Sequence, residues 1–219
     1  MKEFPDRGGR LPYRLWYDEA EIEAIAAEML RRAGHPTLPD SPAVDVDAFV
    51  ELHLGLVPEY TWLPRGVLGA TEFRADGTMR MQIAAELSDR AERDPRAETL
   101  LRSTVAHEAA HVLLHRVLFL TESRQLFGPG VTVRSELCRS VAFTRPGYQG
   151  EWWEWQANRG MAALLLPRDA LDAWLAGREQ AFPREPVTRR REAAARDFRV
   201  SVDAVRRRLA QVQALSASS

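Results

Sequence analysis

Apolar residues recur every three to four positions along residues 18–34, DEAEIEAIAAEMLRRAG, so that Ile22, Ile25, Ala26, Met29, Leu30 and Ala33 share one helical face. Asp18 and Glu21 have the spacing of a capping box and Gly34 stands at the exit, which marks both ends. HPTLPDSPAVDV, with prolines at 36, 39 and 42, breaks regular structure before a second, shorter helix near Asp47 to Leu54. From Gly55 to Ile83 the period shortens. LVPEY, GVLGATEF and TMRMQI alternate over short runs, and ADG supplies a hairpin turn between the last two. A small antiparallel sheet is the predicted result.

After the charged link ELSDRAERD, Asp94 and Pro95 stand where an N-cap and a first-turn proline would open a long helix running to about Phe119. Residues 120–150 contain Gly128, Pro129, Gly130, Pro146, Gly147 and Gly150 and show little periodicity, so they read as a long loop of the kind that carries function. A helix from about Glu151 to Leu166 follows, stopped by Pro167, and PRDALDAWLAG predicts another. The segment PVTRRREAAARDFRVSVDAVRRRLAQVQAL reads as two helices separated near Val200, with Ser201 capping the second. The expected class is α+β. Residues 1–40 form an N-terminal helical extension, and residues 41–219 form one domain whose C-terminal region, about 187–215, is helical.

Length and composition add little direction. A chain of 219 residues that is 45% hydrophobic can bury its own core. A net charge of -1 and a pI near 6.5 exert no overall pull toward nucleic acid or an anionic membrane. The single cysteine, Cys138, excludes an internal disulfide framework and suits a reducing compartment. The opening residues MKEFPDRGGR lead into no apolar leader, and no segment approaches the ~18 apolar residues of a membrane span. A soluble cytoplasmic protein is expected.

Against that neutral background one stretch stands out. TVAHEAAHVLLH, residues 104–115, sets Thr104, His107, Glu108, His111 and His115 as a polar stripe on a helix that is apolar elsewhere. On a helix His107 and His111 lie ~40° apart with a rise of ~6 Å, so both imidazoles can reach one metal ion. Glu108, one step round, cannot share that geometry but can reach a water on the metal. In this HExxH arrangement zinc lowers the water's pKa to ~7 and the glutamate takes its proton. The plainer reading, a histidine pair decorating a helix surface, leaves the apolar flanks unexplained, because a buried polar stripe needs partners.

A catalytic zinc usually takes three protein ligands. The third could be Glu122, Glu136, Glu151 or Glu154. Glu154 is preferred because it sits inside a helix able to pack on the first, with Asn158 one turn on to bond a ligand histidine; Glu151 is its main competitor. His115, two turns beyond His107, is too far along the axis to bind the same ion, and either supports a ligand or contacts an oxyanion. Tyr148 or Arg145 in the loop could also hold an oxyanion, and Cys138 could fill an open metal position. Trp152, Trp153 and Trp155 read mainly as core packing.

These segments resemble the ImmA/IrrE metallo-endopeptidases. TVAHEAAHVLLH is similar to that family's motif helix, and EWQANRGMAALLLP is similar to its second helix, in which E-x-x-A-N precedes small residues and a closing L-L-x-P. GVLGATEF, GTMRMQI and FRVSVDAVRRRL are similar to its sheet and C-terminal region, so the likeness covers roughly residues 40 to 212. The resemblance implies a minimal zincin fold, one Zn2+ per chain on His107, His111 and Glu154, and Glu108 as general base. It also implies a cytoplasmic protein substrate, often a helix-turn-helix repressor. Two features depart from the family's pattern: the sequence shows no obvious N-terminal helix-turn-helix, which some relatives carry, and Glu154 follows His111 by 43 positions with the long loop between.

An extended substrate would pair with an exposed sheet edge, expected at GVLGATEF. A different class of function would be a regulator that binds DNA or a transcription factor without cutting it, through Arg189 to Arg191 and Arg206 to Arg208. The same arginines also fit a solvated face, with Phe198, Val200, Val205 and Leu209 completing the core.

Overall fold

A computed structural model of the chain describes residues 1–5, 13–74, 77–125, 134–139 and 151–217. It opens with a two-stranded antiparallel ribbon, β1 (Lys2–Pro5) and β2 (Tyr13–Trp16), in which Glu3 faces Leu15. The local pattern gave no sign of this ribbon. Helix α1 (Glu19–Arg32) follows, and Asp18 and Glu21 form the capping box with both of its hydrogen bonds present. Asp45 caps a short helix, α2 (Val46–Ala48), which continues as a π-helix over Phe49–Leu54.

The main sheet contains β3 (Glu59–Thr61), β4 (Val67–Phe73) and β5 (Met79–Ala84), joined by β6 (Arg134–Arg139), in the order β3-β5-β4-β6. Two expectations change here. The sheet is mixed rather than purely antiparallel: β4 pairs antiparallel with β5 and β6, but β3 runs parallel to β5, which slots between β3 and β4. GVLGATEF, as β4, is also an interior strand, and the edge on that side belongs to β6. Period-two alternation marks strands but not their neighbours, so the order was not readable locally.

The region expected to be a loop is also more regular. Helix α4 (Pro95–Gln125) is 31 residues long, about 46 Å, and runs past Phe119. Ala85–Ala91, part of the segment read as a link, is a helix, α3. The remaining helices are α5 (Trp152–Leu165), α6 (Arg168–Ala181), α7 (Val187–Asp197) and α8 (Val202–Ala217). Asp94 and Ser201 cap as expected, accepting from Arg96 N at 2.9 Å and Ala204 N at 3.1 Å.

The core is built around α4. Val105, Ala106, Ala109, Ala110 and Val112 are buried together with Ala26 and Leu30 of α1, Met81 and Ile83 of β5, Leu164 of α5 and Phe198 and Val205 at the C-terminus. A second cluster joins Leu15, Phe73, Leu114, Leu118, Trp152 and Trp153, which makes those two tryptophans packing residues. Not all the C-terminal arginines are solvated. Arg208 is completely buried, with Nε donating to Leu166 O at 2.9 Å and Nη2 to Glu23 Oε2 at 2.7 Å.

Helices α4 and α5 approach closely because Gly160 faces Ala110: a Cβ at 160 would stand 2.8 Å from the Ala110 Cβ, a rigid neighbour. Gly160→Ala is therefore expected to destabilise the fold by about 1–3 kcal/mol through overpacking, read as a lower urea midpoint. An unchanged midpoint would mean that the two helices separate without cost.

Candidate metal centre

The polar stripe of α4 faces inward. Thr104, His107, Glu108, His111 and His115 all have 0% exposure. His107 Nε2 and His111 Nε2 lie 3.1 Å apart, one helical turn bringing both imidazoles to the same point. From α5, Glu154 places Oε2 3.2 Å from His107 Nε2 and Oε1 3.5 Å from His111 Nε2. Ligand atoms bound tetrahedrally to one ion at 2.0–2.1 Å stand ~3.3 Å apart, so this is the spacing of a shared ion's ligands. Among the described residues, His107, His111 and Glu154 form the group that could hold a metal ion.

Hydrogen bonding decides which way the lone pairs point. The Leu15 carbonyl can only accept, and it takes a bond from Gln156 Nε2 at 3.0 Å. That orientation turns Gln156 Oε1 toward His115 Nε2, 3.0 Å away, which must then donate. Burial pushes the pKa of His111 down and that of His115 well down, so both rings are neutral at pH 7. A neutral His115 that donates through Nε2 accepts at Nδ1, and the atom 3.1 Å from it is His111 Nδ1. The network thus assigns the His111 proton to Nδ1 and leaves a bare lone pair on Nε2, facing His107 and Glu154.

Glu154 is subject to opposing effects. Its burial works to raise the pKa, and hydrogen bonding from the facing imidazoles lowers it; with the His111 proton on Nδ1, His111 cannot supply that bond. An unprotonated nitrogen and an ionised carboxylate pressed together in a buried site repel unless a cation lies between them. The residues fit a metal ion.

Glu108 points the other way, to the sheet. Thr71 Oγ1 on β4 donates to Glu108 Oε2 at 2.5 Å. Two residues along, a Cβ at Gly69 would stand 2.7 Å from Glu108 Oε1 and 2.8 Å from Thr104 Cγ2, so only glycine leaves the carboxylate its place. Trp153 stacks on His115 at 3.8 Å between ring centroids and packs edge-on against Phe73 and Phe119, which fixes the imidazole plane.

Of the other candidates, Glu151 is exposed at the N-cap position of α5 and lies outside the group. Asn158 is one turn beyond Glu154, and both line a cavity of about 810 Å³. The side chains of Glu122, Glu136 and Cys138, and all of Arg145 and Tyr148, lie outside the described residues. Sequence reading missed Gln156, Thr71 and Gly69. A glycine inside an alternating strand was a usable signal of close approach, whereas nothing local distinguishes Gln156 or Thr71.

A sequence profile of the IrrE N-terminal-like domain, a peptidase family, matches residues 94–210. That span runs from the cap of α4 into α8 and includes His107, Glu108, His111 and Glu154. No curated protein matches the chain.

Gln156→Leu strips a buried carbonyl and a buried imidazole of their partner and is expected to lower the stability of the metal-free protein by about 1–3 kcal/mol in urea unfolding. A midpoint equal to wild type would show that the relay does not form in solution.

Proposed function

The chain belongs to the IrrE-like metallopeptidase family, and from that premise we propose that it is a zinc endopeptidase acting on a cytoplasmic regulatory protein. His107, His111 and Glu154 hold one zinc ion and Glu108 is the general base. The observation that carries this reading is the convergence of two imidazole nitrogens and a carboxylate within 3.1 to 3.5 Å of one another. Nitrogen and oxygen donors at that spacing suit zinc.

A zinc ion held by His107, His111 and Glu154 would supply a Lewis acid for the scissile carbonyl and would acidify a bound water. Glu108 takes a proton as the water oxygen bonds to the carbonyl carbon, and passes it to the amine nitrogen as the C–N bond breaks. Thr71 fixes the Glu108 carboxylate for both transfers, and Gly69 leaves it room. His115 and Gln156, tied to the Leu15 carbonyl, keep the His111 lone pair toward the ion.

Glu154 also lines the cavity between α4, α5 and α8. Strand addition on the β4 side of the sheet would involve β6, the edge strand there. The family resemblance points to a helix-turn-helix repressor as the target. No described helix is long and apolar enough to cross a membrane.

Elemental analysis of purified protein should find about one zinc per chain, lost in His111→Ala and in Glu154→Ala. Glu108→Gln should keep its zinc and lose at least about 100-fold in turnover of an unfolded protein such as casein. A zinc-free, well-folded wild type after reconstitution would sink the proposal, as would a Glu108→Gln variant of full activity.

A further inference from the structure

Helix α5 brings the third candidate ligand to the metal centre from its first turn. Trp152 opens the helix and Glu154 stands two residues on, in the turn whose backbone N–H groups have no helical partner and where helices fray. No side-chain capping bond closes this end. The contact that sets the spacing of α5 and α4, Gly160 against Ala110, lies six residues further along, about 9 Å up the axis. The turn that carries Glu154 therefore needs a hold of its own.

Trp153 and Trp155 flank Glu154, since successive helical side chains stand ~100° apart. The Trp153 side is fixed by the core, where the ring stacks on His115 and meets Phe73 and Phe119 edge-on. The Trp155 side is fixed by the N-terminal ribbon. Trp16 of β2 stacks on the Trp155 ring with centroids 5.1 Å apart and planes 7° from parallel. Arg159 also lies over the Trp155 ring, at 5.4 Å, and is paired at 3.1 Å with Glu19 in the first turn of α1. The next residue of α5 is gripped as well, because Gln156 Nε2 donates to the Leu15 carbonyl at 3.0 Å. Adjacent residues of β2 thus hold adjacent residues of α5.

We propose that the N-terminal ribbon is a working part of the metal centre, and that Trp16 is a positioning residue which, through Trp155, holds the Glu154 carboxylate against His107 and His111. The proposal rests on the reading of those three side chains as zinc ligands. Ligand distances tolerate only ~0.2 Å, so a first turn released on its Trp155 flank no longer delivers the carboxylate to the point that the two imidazoles share. The ribbon lies ahead of the span 94–210 that the peptidase profile matches. Metal affinity in this chain is accordingly set in part by residues outside that span.

The test is the zinc affinity of the full-length, metal-free protein, measured by competition with a coloured chelator. Trp16 and Trp155 are both half-buried, so Trp16→Leu removes the stacked ring while keeping apolar bulk at the surface. It should bind zinc at least about tenfold more weakly than wild type, the usual loss when a group that orients a ligand is removed. Trp16→Phe keeps a ring to stack and should stay within about threefold of wild type. Trp174→Leu removes a tryptophan of α6 that packs on Phe198 and donates to Asp197 Oδ2 at 2.9 Å; it should lower the urea midpoint and leave zinc affinity unchanged. Saturation with cobalt(II) gives a second reading, because its visible absorption reports the ligand set: the spectrum should change in Trp16→Leu and not in Trp174→Leu. Equal zinc affinity in wild type and Trp16→Leu, a loss that Trp16→Phe does not restore, an equal loss in Trp174→Leu, an unchanged cobalt spectrum, or a metal-free Trp16→Leu that fails to fold would each overturn the proposal. A wild type that binds no zinc overturns the metal-centre reading along with it, whereas zinc binding without cleavage of casein counts against the peptidase reading alone.

Discussion

The site depends on how closely α5 lies against α4. Gly160 against Ala110 sets that distance, and six residues earlier on α5 the same approach delivers Glu154 to His107 and His111. Ligand distances tolerate only ~0.2 Å, so a packing contact between two small residues governs whether three donor atoms share a point. The apolar core and the candidate metal centre are two consequences of one helix crossing.

That crossing also explains how α4 can bury so many polar side chains. Two are answered by other elements, Glu108 by Thr71 of β4 and His115 by Gln156 of α5, and Gln156 in turn by the carbonyl of Leu15 in β2; Thr104 bonds to Leu100 O within α4 itself. An unanswered group in this interior would cost roughly 1–3 kcal/mol, so the stripe is tolerable only because the sheet, the second helix and the N-terminal ribbon all reach it. The N-terminal ribbon, remote in sequence from the chemistry, thereby sets the tautomer of His111.

The C-terminal helices show that residue type alone does not assign a role. Three consecutive arginines occupy one turn of α8, yet Arg208 is sealed inside against Glu23 while Arg206 and Arg207 face the cavity and share Asp203. Helical geometry separates neighbours by ~100°, which is enough to send one guanidinium into the core and leave two on the wall.

By itself the sequence determined what depends on local spacing. The capping box of α1, the proline-opened start of α4, the runs that became β4 and β5, and the His107–Glu108–His111 pattern follow from periods of 3.6 and 2, which the chain carries at every position. Tertiary structure alone decided the rest. It made β4 an interior strand beside β6, set β3 parallel to β5, brought Glu154 to the two histidines, and enlisted Gly69, Thr71 and Gln156. These outcomes arise between residues tens of positions apart. Their energies belong to packing and to buried hydrogen bonds that exist only once the chain has closed, and no local period encodes them.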